Sequence, residues 1–96
     1  MDIGKEIRKL RKMNKLTQVK LAEIIGVDRS AISSYETGRR DLTISRLKQI
    51  SRALHVKPEH FFQDCPDEYS FFVENLDKKS FEILYNTYIK KCKHNK

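Results

Sequence analysis

The 96-residue chain has no tryptophan, three glycines, two prolines and two cysteines, Cys65 and Cys92, which lie 27 positions apart. Neither cysteine sits in a CxxC pair, and His55, His60 and His94 have no ligand spacing around them, so no metal site is expected. There is no glycine-rich phosphate loop, no nucleophile elbow and no HExxH, and the serines that cluster have no histidine base beside them. An enzyme and a bound cofactor are therefore not expected. Without a signal peptide or an apolar run long enough for a bilayer, the expectation is a cytoplasmic chain with reduced thiols and no membrane partner. No stretch shows sustained strand alternation, internal repetition or a long flexible linker, which leaves an all-α plan.

Charge is the first positive feature. The net charge is +7, and residues 1–62 hold 14 lysines and arginines against 7 acids, whereas residues 63–96 hold 6 of each. A basic part joined to a neutral part suggests an anionic partner at one end and a different task at the other. Charge alone fits a solubilising basic surface equally well. The length suits one small domain with one modest core.

Residues 17–38, TQVKLAEIIGVDRSAISSYETG, read as two short helices joined by a glycine turn. Thr17 can cap the first, and Leu21, Ala22 and Ile25 share its apolar stripe. Gly26 can take left-handed backbone angles and end that helix, with Val27 plugging the corner. Asp28 is the next N-cap, a role favoured over the reading of a cytosine. Ala31, Ile32 and Tyr35 then fall inward, leaving Arg29, Ser30, Ser33 and Ser34 outward. A merely solvated helix would carry Glu and Lys pairs, and serine is a mediocre helix former, whereas small side chains let a helix enter a groove. The layout is that of a DNA-reading helix-turn-helix.

The remaining periodicity is helical as well. A first helix over 3–14, capped by Asp2, places Ile3, Ile7, Leu10 and Asn14 on one face and Lys5, Lys9 and Lys12 outside. A fourth helix follows Thr43 and buries Leu47, Ile50 and Leu54; a short fifth turn follows Pro58, and Phe61 and Phe62 close the core. Pro66, Asp67 and Glu68 read as another helix start, with Phe71, Phe72 and Leu76 as apolar surface. A final helix from about Asp77 carries Phe81, Leu84, Tyr85, Tyr88 and Cys92 as an apolar stripe.

These residues resemble the Cro and phage-repressor type of helix-turn-helix regulator, the XRE family, over roughly residues 3–62. The resemblance rests on Ile7, Leu10 and Arg11, then Thr17, Gln18, Leu21 and Ala22, then Val27, Ile32, Ser33, Tyr35, Glu36 and Gly38. It continues through Leu42, Leu47, Ile50, Ala53, Leu54, Val56, Phe61 and Phe62. It implies a five-helix Cro/repressor-like domain over 1–64, with one or two additional helices in a C-terminal extension over 65–96. Lys20 departs from it, because many relatives have a glutamate there that completes a capping box. A lysine in the first helical turn opposes the helix dipole, a cost that a nearby phosphate would offset.

The resemblance also implies roles. Gln18 would bond a backbone phosphate; Arg29, Ser30, Ser33 and Ser34 would face base edges in the major groove; Arg11 and Glu36 would form a structural ion pair. Arg39, Arg40 and the helix start at Thr43 are placed for phosphates, the two arginines having a solvated loop as the alternative. One such helix covers few base pairs, so a homodimer on two half-sites about 34 Å apart is expected, with Phe81, Leu84, Tyr85 and Tyr88 as its contact. Packing of that stripe on the chain's own N-terminal part stays open. The functional expectation is a regulator, a repressor on a palindromic operator. Alternatives are an antitoxin that holds a protein partner through its C-terminal helices, and a restriction-modification controller.

Overall fold

The structure, a computed structural model, describes residues 2–63 and 65–89, with side chains through Thr87. Among them every regular element is helical: α1 (Ile3–Met13), α2 (Gln18–Ile25), α3 (Arg29–Thr37) and α4 (Ile44–Ala53), then a 3-10 turn, Pro58–Phe62. A second 3-10 turn, Asp67–Tyr69, runs into the short α5 (Ser70–Glu74), and α6 (Lys78–Leu84) continues into a π-helical turn, Tyr85–Ile89. No helix among these residues is long and apolar enough to cross a membrane.

Local chemistry sets the helix starts. The first N–H groups of a helix lack intrahelical acceptors, and a short oxygen-bearing side chain with extended backbone supplies one. The Lys5 N–H donates to Asp2 Oδ1 at 3.2 Å, the Lys20 N–H to Thr17 Oγ1 at 3.0 Å and the Arg46 N–H to Thr43 Oγ1 at 3.1 Å. The Ser80 N–H donates to Asp77 Oδ1 at 2.8 Å, and bonds from Ser80 hold the Asp77 carboxyl below its ordinary pKa. Thr17 thus caps α2 without the glutamate that Lys20 replaces. Asp28 differs from expectation. Its backbone has the extended cap geometry, but its side chain makes no capping hydrogen bond. Glycine ends the two central helices: Gly26 at φ 75° and Gly38 at φ 80° occupy the left-handed region that costs other residues steric strain.

The buried faces meet in one core. Ile3, Ile7 and Leu10 of α1 join Leu21, Ala22 and Ile25 of α2, Ala31, Ile32 and Tyr35 of α3, and Leu47 and Ile50 of α4. Phe61 and Phe62 close its lower side, while Lys5, Lys9 and Lys12 remain exposed. Two polar ties brace the ends of α1. His60 Nε2 lies 2.9 Å from Glu6 Oε2, and Asn14 Nδ2 donates to the Leu10 carbonyl at 2.8 Å and to that of Leu54 at 3.4 Å.

The C-terminal extension belongs to this same core, which corrects the expected contact surface. Phe81, Leu84 and Tyr85 are 2%, 0% and 6% exposed within a single chain. Phe81 meets Phe62 edge-on with ring centroids 6.1 Å apart and leans on Tyr85 at 5.6 Å. Periodicity states that a stripe needs cover and is silent on what covers it. Here α4 and Phe62 provide that cover without the translational entropy that a second molecule would lose. The Tyr88 ring lies outside the described side chains, and Cys92 and His94 lie outside the described residues.

Gly4 decides how close α1 comes to the end of α3. A Cβ on it would stand 2.6 Å from the Tyr35 carbonyl oxygen and closer still to that of Glu36. Backbone oxygens cannot swing away as a side-chain tip can, so α1 would have to shift. Gly4→Ala is expected to lower stability by about 1–3 kcal/mol in a urea titration. Alanine's helix propensity alone would raise it by about 0.5–1 kcal/mol, and a rise would show that the two helices have slack.

Candidate nucleic-acid interface

The outer face of α3 is built by the burial of its inner one. Ala31, Ile32, Tyr35 and Glu36 are buried, which turns Arg29 and Ser30 fully outward and leaves Ser33 and Ser34 half-exposed beside them. The exit from the helix is equally constrained. With Gly38 left-handed, the Arg39 and Arg40 N–H groups both donate to the Ser34 carbonyl, at 2.9 and 3.3 Å. Both arginine side chains are exposed at that end, and the Arg40 guanidinium stands 5.9 Å from the centre of the Tyr35 ring. Thr43 is exposed at the start of α4, and the Lys20 ammonium lies 3.8 Å from Glu23 in a surface pair that contributes little.

Beneath this face a hydrogen-bonded chain ties α1 to the start of α3. Arg11 Nε donates to Glu36 Oε2 at 2.7 Å and Arg11 Nη2 to Glu36 Oε1 at 3.2 Å. The side chains are 9% and 3% exposed. Arg11 Nη1 reaches the Leu16 carbonyl at 2.8 Å, so the buried cation is held from several directions. Gln18 Nε2 donates to Glu36 Oε1 at 3.2 Å, and Arg29 Nη1 donates to Gln18 Oε1 at the same distance. The amide orientation follows from chemistry, since an ionised carboxylate only accepts and a guanidinium only donates. Gln18, expected as a phosphate contact, is in this structure first of all the bridge between the ion pair and Arg29.

The structure brings Arg29, Ser30, Ser33 and Ser34 together on one face, with Gln18 bonded to Arg29, and leaves Arg39, Arg40 and Thr43 exposed in the segment that follows α3. Phe81, Leu84 and Tyr85 are not part of any outward surface. Two contributors escaped the sequence reading. Gly4 carries no local signal of its role, which the approach of α3 explains. The hydrogen bond from Tyr85 to Asp41 joins residues 44 positions apart and has no local signal. Among the described residues no cluster of three histidine, cysteine or acidic side chains could hold a metal ion.

A short helix, a left-handed glycine corner and a second helix with a small polar outer face define a helix-turn-helix protein. The profile of the helix-turn-helix family matches residues 7–61, and the chain belongs to the Cro/C1-type (XRE) helix-turn-helix family of transcriptional regulators. It is 41% identical over 66 residues to the uncharacterized HTH-type transcriptional regulator y4aM of Sinorhizobium fredii, a match covering 69% of this chain and 46% of that one. The chain spans about half the length of the curated relatives it matches. Among solved structures, the P22 c2 repressor in complex with a synthetic operator is similar with a TM-score of 0.60 and 31% identity, over 64% of this chain and 92% of that one. The restriction-modification controller protein C.AhdI of Aeromonas hydrophila is similar with a TM-score of 0.60 and 32% identity, over 62% and 91%.

Proposed function

We propose that this chain binds double-stranded DNA sequence-specifically, as a dimer on a palindromic operator, and represses transcription from it. The observation that carries the reading is the outer face of α3, where Arg29 projects among three serines and is steadied by Gln18. A guanidinium can donate two bonds to guanine O6 and N7, whereas a serine hydroxyl donates or accepts and discriminates poorly, so Arg29 is the principal reader. Ser30, Ser33 and Ser34 allow the helix to lie close to the base edges. The Gln18 amide nitrogen carries two hydrogens, one directed at Glu36 and a second suited to a phosphate. Arg39, Arg40, Lys20 and the helix start at Thr43 supply further backbone contacts, which fix register without choosing sequence.

The dimer follows from reach. One helix reads too few base pairs for a specific site, and two-fold pairing doubles the reading; burial of Phe81, Leu84 and Tyr85 within one chain favours a different surface for the pairing. An antitoxin-like grip on a protein partner has weaker support, because Phe81 and Leu84 of α6 are already buried within the chain.

Selection of bound sequences from random duplexes, with sedimentation of the same sample, tests the reading: an inverted repeat bound by two chains is expected, and no enriched motif would overturn it. Arg29→Ala should cost about 1–3 kcal/mol on the selected site and relax one base position in each half-site. Arg39→Ala should weaken all sequences alike and reduce the salt slope by about 1. The reverse pattern would mean that the two roles are exchanged.

A further inference from the structure

We propose that the Tyr85 hydroxyl is a positioning group for DNA-backbone contact, holding the 39–43 loop in the shape in which its flanking residues meet phosphates. The inference rests on the DNA reading above and adds to it a residue from the C-terminal extension. Tyr85 stands just past α6 with its ring buried, and its hydroxyl donates to Asp41 Oδ1 at 3.2 Å. The hydroxyl therefore links the end of α6 to the loop that follows α3. Burial, together with the Asp41 charge, pushes the phenol's pKa up to about 12, so at neutral pH the group keeps its proton and donates.

The position of this clasp gives it its role. Asp41 and Leu42 lie between Arg40 and Thr43, the loop residues proposed to meet phosphates. At one end the Arg39 and Arg40 N–H groups are fixed to the Ser34 carbonyl, and at the other Thr43 caps α4, so the clasp fixes the middle. Beside it opens a cavity of about 470 Å³ lined by Thr43, Ser45, Lys78, Glu82, Tyr85 and Asn86. The Leu42 side chain anchors the loop in the core, whereas Asp41 is exposed at this cleft, so loss of the hydroxyl removes a restraint on the Asp41 side of the loop.

Tyr85→Phe keeps the ring and removes the clasp. Binding to the selected duplex, followed by fluorescence anisotropy over a salt series well below the melting temperature of every variant, is expected to weaken by about 3- to 10-fold. The slope of log affinity against log salt should become shallower by about 1, the signature of one lost phosphate contact. A residue that merely fills the core would not alter that slope. In a double-mutant cycle Tyr85→Phe should be non-additive with Arg40→Ala and additive with Arg29→Ala. Affinity within about twofold of the parent, or weaker binding at an unchanged slope, would overturn the proposal while leaving the DNA reading standing. A parent chain without sequence preference, indifferent to Arg29→Ala, would overturn that reading and the clasp's role with it. Should Tyr85→Phe fail to fold, Asp41→Ala removes the acceptor from the solvent side. The clasp predicts a shallower slope there, and an unchanged or steeper one, as expected from loss of a negative charge alone, would overturn it.

Discussion

Replacing Glu36 by alanine is expected to cost about 3–5 kcal/mol, because it leaves the Arg11 guanidinium buried without its anion. For a chain of this size that is a fall in Tm of more than about 10 °C, and a large share of the roughly 5–15 kcal/mol that holds a domain folded. Glu23→Ala is the matched control. Its carboxylate is 64% exposed and lies 3.8 Å from Lys20, so it should change stability by no more than about 0.5 kcal/mol. The comparison extends to the pair, since Arg11→Met with Glu36→Leu removes both charges and should be less damaging than either single charge removal. Equal small shifts for Glu36→Ala and Glu23→Ala in a thermal melt would show that the guanidinium finds water or another acceptor, and the ion pair would lose its structural role.

Phe81→Ala should be comparably severe. The ring is 2% exposed and in contact with Phe62 and Tyr85, and truncating such a side chain typically costs about 3–5 kcal/mol through lost transfer energy and the cavity left behind. Because the partners are in the same chain, the loss should be independent of protein concentration. Phe71→Ala provides the contrast, as that ring is 67% exposed and its removal should be felt by no more than about 0.5 kcal/mol. If Phe81→Ala left a dilute sample unaffected and lowered Tm only where chains associate, the stripe would be an intermolecular contact and its place in the core would be wrong.

Phe81 also marks how far the sequence could be read. The spacing of Phe81, Leu84 and Tyr85 sufficed to show that α6 has an apolar face. Its partner depended on how α6 returns across α4, which no local pattern encodes. Asp2 and Thr17 were legible as caps because a cap acts within three residues of itself, the helix starts near Thr43 and Asp77 followed from periodicity, and Gly26 was legible because a left-handed corner tolerates little else. Asp28 has the same residue type and backbone as a working cap, yet its side chain makes no capping bond. The outward set of Arg29, Ser30, Ser33 and Ser34 followed from helical periodicity. Gln18 as a bridge did not, since its partners lie on α3, 11 and 18 residues away. Gly4 was invisible for a related reason: the need for a missing Cβ arises from the Tyr35 and Glu36 carbonyls, which the chain reaches only after two further turns.

The bonded series from Arg11 through Glu36 and Gln18 to Arg29 has a consequence for the thermodynamics of docking. A long side chain that wanders among rotamers in free protein gives up that freedom on meeting a base, at about 0.5–1.5 kcal/mol each. Arg29 is already leaning on Gln18, so much of its ordering is completed when the chain folds. Calorimetry of Gln18→Ala should then show an entropy of association less favourable than that of the parent, even at a half-site where Gln18 itself touches nothing.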